Sequence, residues 1–313
     1  TGGNGAVGSH LVKKLLEQYA KVVVLDDFSQ SSQKNLPSNK NLKIIRGNIT
    51  NEKILKKTFS IKYDYVFHLA ARFANELSVK DPMEDLKVNT QGTLQVLLHS
   101  SKQNLKRFIY TSSSSLYGVQ NATLFKETLY PNPSTPYAAS KLSAEHYCNA
   151  LGKLTGLKYT VVRLSNVFGP RASIHSPEFT FNNFFIGLAL QNREITVFGD
   201  GEQKRNVTYI DDAVNALILS SQEDKTEGEV LFAVSNEHFS VAEIAKLTVE
   251  HIGSGRVSFI NWPRGRKNID IGDAVISNKK INDLLGWSPK FNIKNGLNLT
   301  KNYYQPCLDK YFP

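Results

Sequence analysis

Cysteine is almost missing from this chain: Cys148 and Cys307 are the only two in 313 residues, and they stand far apart. Neither has the paired Cys or His spacing of a zinc or iron–sulfur site, and no two histidines sit one helical turn apart around a glutamate. No metal is therefore expected, and a chain so poor in thiols reads as reduced and cytoplasmic. No apolar run approaches the roughly 18 to 20 residues that span a bilayer. The most apolar patch, Phe184 to Leu190, contains Gly187 and follows Asn182 and Asn183, so no membrane partner is expected. With Gly 20 and Pro 11 the chain is neither fibrous nor of low complexity, and 41% hydrophobic with 21% charged residues is ordinary globular composition. The formal net charge of +10 comes from scattered lysines. Without a basic helix, zinc-finger spacing or an aromatic pair in a basic strand, it reads as a solvated surface and not as a nucleic-acid site.

The length, about twice that of a typical single domain, calls for one large α/β unit or two packed domains. Val7 to Tyr19 has helical periodicity, and the β-branched run Lys21 to Leu25 closes at Asp26 and Asp27. Short apolar runs recur at Leu42 to Arg46, Tyr65 to Leu69, Arg107 to Thr111 and Tyr159 to Leu164, each separated by room for a helix. The periodicity predicts helices over Asp85 to Gln103 and over Tyr137 to Leu154, with Pro136 just ahead of the second. Strands alternating with helices give a Rossmann-type, doubly wound parallel sheet covered on both faces. Beyond about residue 166 the rhythm loosens, with helices near Phe184 to Gln191, Asp211 to Ser221, Val241 to His251 and Lys279 to Leu285. Residues 1–165 are thus expected to bind a dinucleotide and residues 166–313 to form a smaller α/β substrate domain. A strand is expected ahead of Thr1, because a glycine motif like the opening one normally follows a strand.

The opening TGGNGAVG spaces Gly2, Gly5 and Gly8 by three, where a backbone turns tightly and approaches a pyrophosphate at a helix N-terminus. Asp26, 18 residues after Gly8, can accept hydrogen bonds from ribose hydroxyls and repels a 2′-phosphate, which favours NAD over NADP. Asp27 either shares that role or is solvated. Farther along, Tyr137 and Lys141 stand one helical turn apart in YAASK, 24 residues after Ser113 in a serine cluster, and share a helix face. A phenol that titrates near 10 must lose roughly 4 kcal/mol of proton affinity to act as a base near neutrality. One ammonium about 4 Å away at an effective dielectric near 20 supplies about that.

Together these elements resemble the extended short-chain dehydrogenase/reductase family and, within it, the nucleotide-sugar epimerases of the UDP-glucose 4-epimerase type. The resemblance runs through nearly the whole chain: GGNGAVG at 2–8, Asp26, HLAA at 68–71, TSSSSLYG at 111–118, YAASK at 137–141, RLSNVFGPR at 163–171, FGDGEQKRN at 198–206 and LLGWSP at 284–289. It implies tightly held NAD against Gly2, Gly5, Ala6, Val7, Asp26, Asn48, Ile49, Leu69, Ala70, Ala71, Tyr137 and Lys141. It also implies that Tyr137 is the base, that Lys141 lowers its pKa and binds the nicotinamide ribose, and that Ser113 hydrogen-bonds the reacting hydroxyl. Asn48 replaces the family's usual Asp near the adenine.

Relatives that eliminate water carry Asp-Glu at the positions of Ser114 and Ser115, and decarboxylating relatives carry Glu at the second, so both chemistries rank below epimerisation at carbon 4. Asn166 and Arg205 match positions that hold the diphosphate of a UDP-sugar. Arg264 and Arg266, in WPRGRKN, are the candidates for a second diphosphate ligand, although the usual Arg-x-Gly-Asp order is not kept. His68 is expected to be structural. The sugar stays open: small Ala274 would admit a bulky 2-substituent, and Arg72 would cradle a uronate. The resemblance further implies a homodimer through the helices at 85–103 and 137–154. Competing readings are a 4-keto-sugar reductase that consumes NAD(P)H and a catalytically silent NAD-binding partner protein.

Overall fold

The computed structural model describes residues 1–30, 35–73, 75–264, 267 and 270–312. The first half runs α1 (Ala6–Glu17), β1 (Val22–Asp26), β2 (Leu42–Arg46), α2 (Glu52–Thr58), β3 (Tyr65–His68), α3 (Asn75–Lys80), α4 (Pro82–Asp85), a π-helical stretch (Leu86–Gly92), α5 (Thr93–Ser100), β4 (Arg107–Ser113), α6 (Pro136–Thr155) and β5 (Tyr159–Leu164). The second half runs β6 (Val167–Phe168), α7 (Phe181–Leu190), β7 (Glu194–Phe198), β8 (Lys204–Asn206), β9 (Thr208–Tyr209), α8 (Ile210–Gln222), β10 (Val230–Ala233), β11 (His238–Ser240), α9 (Val241–Ile252), β12 (Arg256–Ile260), α10 (Lys279–Leu285) and α11 (Ile293–Tyr304).

All strand pairs of the central layer are parallel, but they form two pieces: the pair β1–β2, and a four-stranded sheet in the order β10–β5–β4–β3. The start of the chain joins them. Thr1 donates its terminal N–H to Phe67 O at 2.8 Å and accepts from Leu69 N at 3.1 Å, while Gly2 N donates to Leu25 O at 2.9 Å. The slot between β1 and β3 is thereby bridged. On the far side β10, from the second half of the chain, pairs with β5, so both halves share one sheet.

β4 and β5 are almost wholly buried because helices cover both their faces, and their residues sort by parity into two cores. Phe108, Tyr110, Tyr159 and Val161 pack with Ala144 and Cys148 of α6. Ile109, Val162 and Leu164 pack on the other face with Leu11 of α1 and Ala213 and Leu217 of α8. A third core, centred on Phe168, Ile186, Val197, Tyr209, Ile244 and Leu297, holds α7, α9 and α11 together. Gly187 interrupts the most apolar helix because a Cβ there would lie 1.9 Å from Ile174 O. Among the described residues no helix is long and apolar enough to cross a membrane.

α6 starts at Pro136, one residue before the predicted start. Its N-cap Thr135 accepts from Ala138 N at 3.2 Å, and the helix ends at Gly156 with φ +73°. The single helix expected over 85–103 is corrected: it starts at Pro82, passes through the π-helical stretch and ends at Ser100. A π turn takes in an extra residue and shifts the phase of the helix, which a 3.6-residue pattern does not reveal.

One ion pair crosses the core. Arg163 of β5 donates Nη2 and Nε to the two carboxylate oxygens of Glu145 on α6, at 2.6 and 2.9 Å, and both side chains are buried. Removing one partner leaves a buried, uncompensated charge. Glu145→Ala is therefore expected to cost about 3–5 kcal/mol in chemical denaturation; a loss below about 1 kcal/mol would contradict this account.

Candidate active site

The carboxyl ends of β1, β3, β4 and β5 open onto one cavity of about 800 Å³, where an open α/β sheet places its ligand. Its first part is the glycine turn. Gly2, with φ +69°, lies so close to the next loop that a Cβ would come within 2.4 Å of Ala70 N, and a Cβ on Gly8 would come within 2.1 Å of Gly2 O. Gly5 caps α1 without a side chain, and no acid stands in the first turn. The N–H groups beside Ala6, Val7 and Gly8 are therefore left to an anion from the cavity. Asp26 stands at the cavity with its carboxylate oriented by Asn4 N and Phe28 N, each at 2.9 Å. Ile49, Leu69, Ala70 and Ala71 complete this wall.

Asn48 also lines the cavity, but its amide is engaged inside the fold. Nδ2 donates to Asp27 at 2.8 Å, and Oδ1 accepts from Thr50 N and Oγ1 at 2.9 and 2.8 Å. Asp27 is likewise held by Ser29. A cradle that a Cβ would fill, an uncapped helix end and an oriented carboxylate fit a dinucleotide whose ribose carries a free 2′-hydroxyl.

Ser113, Tyr137 and Lys141 line the same cavity. Ser113 stands at the end of β4, which runs two residues past the predicted apolar stretch, and its hydroxyl bonds Tyr137 and lies 2.9 Å from Ser115 Oγ. Ser114 Oγ donates to Ser165 Oγ at 2.9 Å. Tyr137 and Lys141 are each only 4% exposed. The sequence predicts a phenol whose pKa a nearby ammonium lowers; burial works against that here. Burial raises the Tyr137 pKa, with only the Ser113 hydrogen bond opposing. Lys141 donates to Thr111 O at 2.9 Å and lies 5.9 Å from the centre of the Tyr137 ring, and burial pushes its own pKa down to about 8.

The remaining candidates divide. Asn166 joins β5 to β6 in a left-handed conformation (φ +41°), and its amide donates to Ser165 Oγ and Asn206 O. Arg205 reaches the cavity from β8 with its guanidinium already engaged: Nη1 donates to Lys204 O at 2.8 Å and to Gly272 O, and Nη2 to Asp270 at 3.0 Å. Arg264 is exposed in the turn after Trp262 and is not brought to the cavity lining, whereas Trp262 is. Arg266 lies outside the described residues. Ala274 lines the cavity, as does Arg72, but the Arg72 guanidinium is tied to Leu77 O and Asp81 O.

Sequence reasoning missed two features. Phe73 meets Tyr137 edge-on at 5.6 Å and stacks on Phe179 at 6.3 Å, walling the phenol. Arg171 and Ser173 also line the cavity, with Arg171 Nη1 and Ser173 Oγ buried and without a partner. Arg171 stood inside the quoted motif RLSNVFGPR; nothing in the spacing marked the phenylalanines. Among the described residues, no group of three or more His, Cys, Asp or Glu is placed to hold a metal.

Fold and cavity define an α/β enzyme of the Rossmann class, built to hold a dinucleotide. The chain belongs to the NAD dependent epimerase/dehydratase family, whose model matches residues 1–241, and NAD is its coenzyme. It is similar to the UDP-glucose 4-epimerase of Thermotoga maritima solved with UDP-glucose, with 34% identity, TM-score 0.91 and 98% of each chain covered. It is similar to the UDP-glucuronic acid 4-epimerase of Bacillus cereus solved with UDP-glucuronic acid and NAD, with 29% identity, TM-score 0.84 and coverage of 97% of this chain and 98% of that one. UDP-glucuronic acid decarboxylase 1 of Xenopus tropicalis is 32% identical over 321 residues, covering 99% of this chain and 72% of that one.

Asp26→Ala is expected to weaken NAD at least tenfold, about 1.4 kcal/mol, by calorimetry; unchanged affinity would refute its role at the ribose. Lys141 supplies a pH signature. Its folded pKa of about 8 lies below the ordinary 10.5, so between those values the unfolded chain holds a proton that the folded chain has released. Stability gains from rising pH in that window; chemical denaturation of the parent and of Lys141→Met at pH 8 and pH 10 checks it, and an equal pH dependence in the two would contradict it.

Proposed function

We propose that the chain inverts carbon 4 of a UDP-sugar and keeps its NAD from one turnover to the next. The observation that carries this reading is that the Ser113–Tyr137 pair shares one cavity with the glycine cradle and Asp26 on one side and with Asn166 and Arg205 on the other. Reacting group, coenzyme and nucleotide anchor are thereby within one ligand's reach. NAD supplies the reversible hydride acceptor that inversion through a ketone needs. Tyr137 takes the proton of the sugar's 4-hydroxyl and gives it back to the same oxygen once the turned ketone has taken its hydride back on the opposite face, Ser113 holds that oxygen, and the Lys141 ammonium stabilises the phenolate. Affinity resides in the nucleotide and diphosphate, so the 4-keto sugar is free to turn between the two transfers. Decarboxylation and dehydration rank lower because Ser114 and Ser115 stand where relatives with those activities carry acids.

Leu86, Leu98, Tyr147 and Leu154 are exposed on the packed helices α4 to α6, Leu154 at 80%. This supports a homodimer through these helices; a monomeric mass by light scattering would overturn it.

The purified protein, given no added coenzyme, is expected to invert carbon 4 of at least one of UDP-glucose, UDP-galactose, their N-acetylamino forms and UDP-glucuronate, as followed by NMR. Failure on all of them, together with turnover of a 4-keto sugar that consumes reduced coenzyme, would establish the reductase reading instead. Tyr137→Phe is expected to leave NAD content and UDP binding within about twofold while turnover falls at least 10³-fold; comparable activity would remove Tyr137 as the base.

A further inference from the structure

Two buried charges beside the reacting pair have no oppositely charged side chain bonded to them. Lys141 gives its proton donor to a backbone carbonyl, Thr111 O. Asp85, fully buried at the end of α4, accepts from Ser140 Oγ and from Asn89 Nδ2, both neutral, each at 2.7 Å. Other charged groups also face this pocket. Glu145, ion-paired with Arg163, adds to the support of the Lys141 ammonium, and Arg72, bonded to Leu77 O and Asp81 O, favours the Asp85 carboxylate, whose own pKa burial raises. Cys148 and Tyr110 are held protonated by burial, and His68 is held neutral.

Ser140 immediately precedes Lys141 and lies one turn from Tyr137 on α6, so the Asp85 carboxylate grips the helix that carries both groups. Through Asn89, in the π-helical stretch, it also holds the loop that follows β3. Asn89 donates to Arg72 O at 3.0 Å and accepts from Arg72 N at 2.8 Å, next to Leu69, Ala70 and Ala71 on the coenzyme wall.

We propose that Asp85 is a positioning residue for the proton-handling pair, acting as counter-charge to the Lys141 ammonium and as the strut that fixes its helix through Ser140. This rests on the reading of Tyr137 and Lys141 given above. The Asp85 carboxylate favours the charged form of Lys141 and disfavours the phenolate of Tyr137, so its charge shifts the titration of both groups to higher pH. Replacing it with a neutral isostere moves both limbs of the rate profile the same way, towards acid, which loss of packing alone does not do.

The test compares Asp85→Asn and Ser140→Ala, each purified with its bound NAD, by kcat and kcat/KM against pH and by ultraviolet titration of tyrosinate. Asp85→Asn is expected to shift both limbs acidward by about one pH unit, a tenfold change in proton affinity, and to lower kcat more than tenfold with KM nearly unchanged. Ser140→Ala keeps the charge, so its limbs stay near those of the parent while kcat falls. A parental pH profile in Asp85→Asn, with or without a lower melting temperature, overturns the proposal. Should that variant not fold, Ser140→Ala carries the test, and an unchanged kcat there overturns it as well. An active Tyr137→Phe, by contrast, would defeat the reading of the base without touching Asp85.

Discussion

The contact between Gly2 and the loop after β3 sets the rest of this molecule. The chain passes there so close to Ala70 that no side chain fits, and in the same two residues it bonds β3 on one side and β1 on the other. That stitch turns a strand pair and a four-stranded sheet into one parallel layer, brings their carboxyl ends together, and aims the uncapped start of α1 into the gap. Gly8, packed on Gly2 O, lets the helix leave at the angle this requires. This packing leaves the half of the cavity proposed for the coenzyme, with the oriented Asp26 carboxylate at its wall.

A second constraint governs the chemistry. β4, β5 and α6 bury ionisable groups that in water would carry full charge, and each is matched by a different device: Glu145 by Arg163, Lys141 by a backbone carbonyl, Asp85 by two neutral donors. Desolvation therefore dominates the proton affinities here. It pushes Tyr137 up and Lys141 down, so a phenolate base needs more help than a single helix neighbour gives. The Ser113 hydroxyl, itself bonded to Ser115, gives part of that help.

The substrate side follows a different logic. Arg205 is braced by carbonyls and by Asp270, whereas Arg171 and Ser173 keep buried donors without partners at the cavity wall. On the proposed reading, a sugar nucleotide would meet one anchor already held in place and others that are open.

Much of this was legible in the sequence because its causes are local. A parallel strand buried on both faces must be a continuous apolar run, so β5 matches its predicted limits, and β2, although largely exposed, matches them too. A pyrophosphate turn needs glycines at fixed spacing, and a Tyr and Lys one turn apart must share a face. What the sequence left undecided depends on residues brought together from far away. The π-helical stretch has no periodic mark. Arg264 was a candidate for the second diphosphate ligand beside Arg205, and the fold left it exposed while placing Arg205 against the cavity. Phe73 and Phe179 became walls only by meeting Tyr137, and Asp85 became a counter-charge only by meeting α6. Spacing along the chain determined the fold class, the coenzyme and the Ser113–Tyr137–Lys141 set. Burial, which no spacing records, decided how those groups hold their protons.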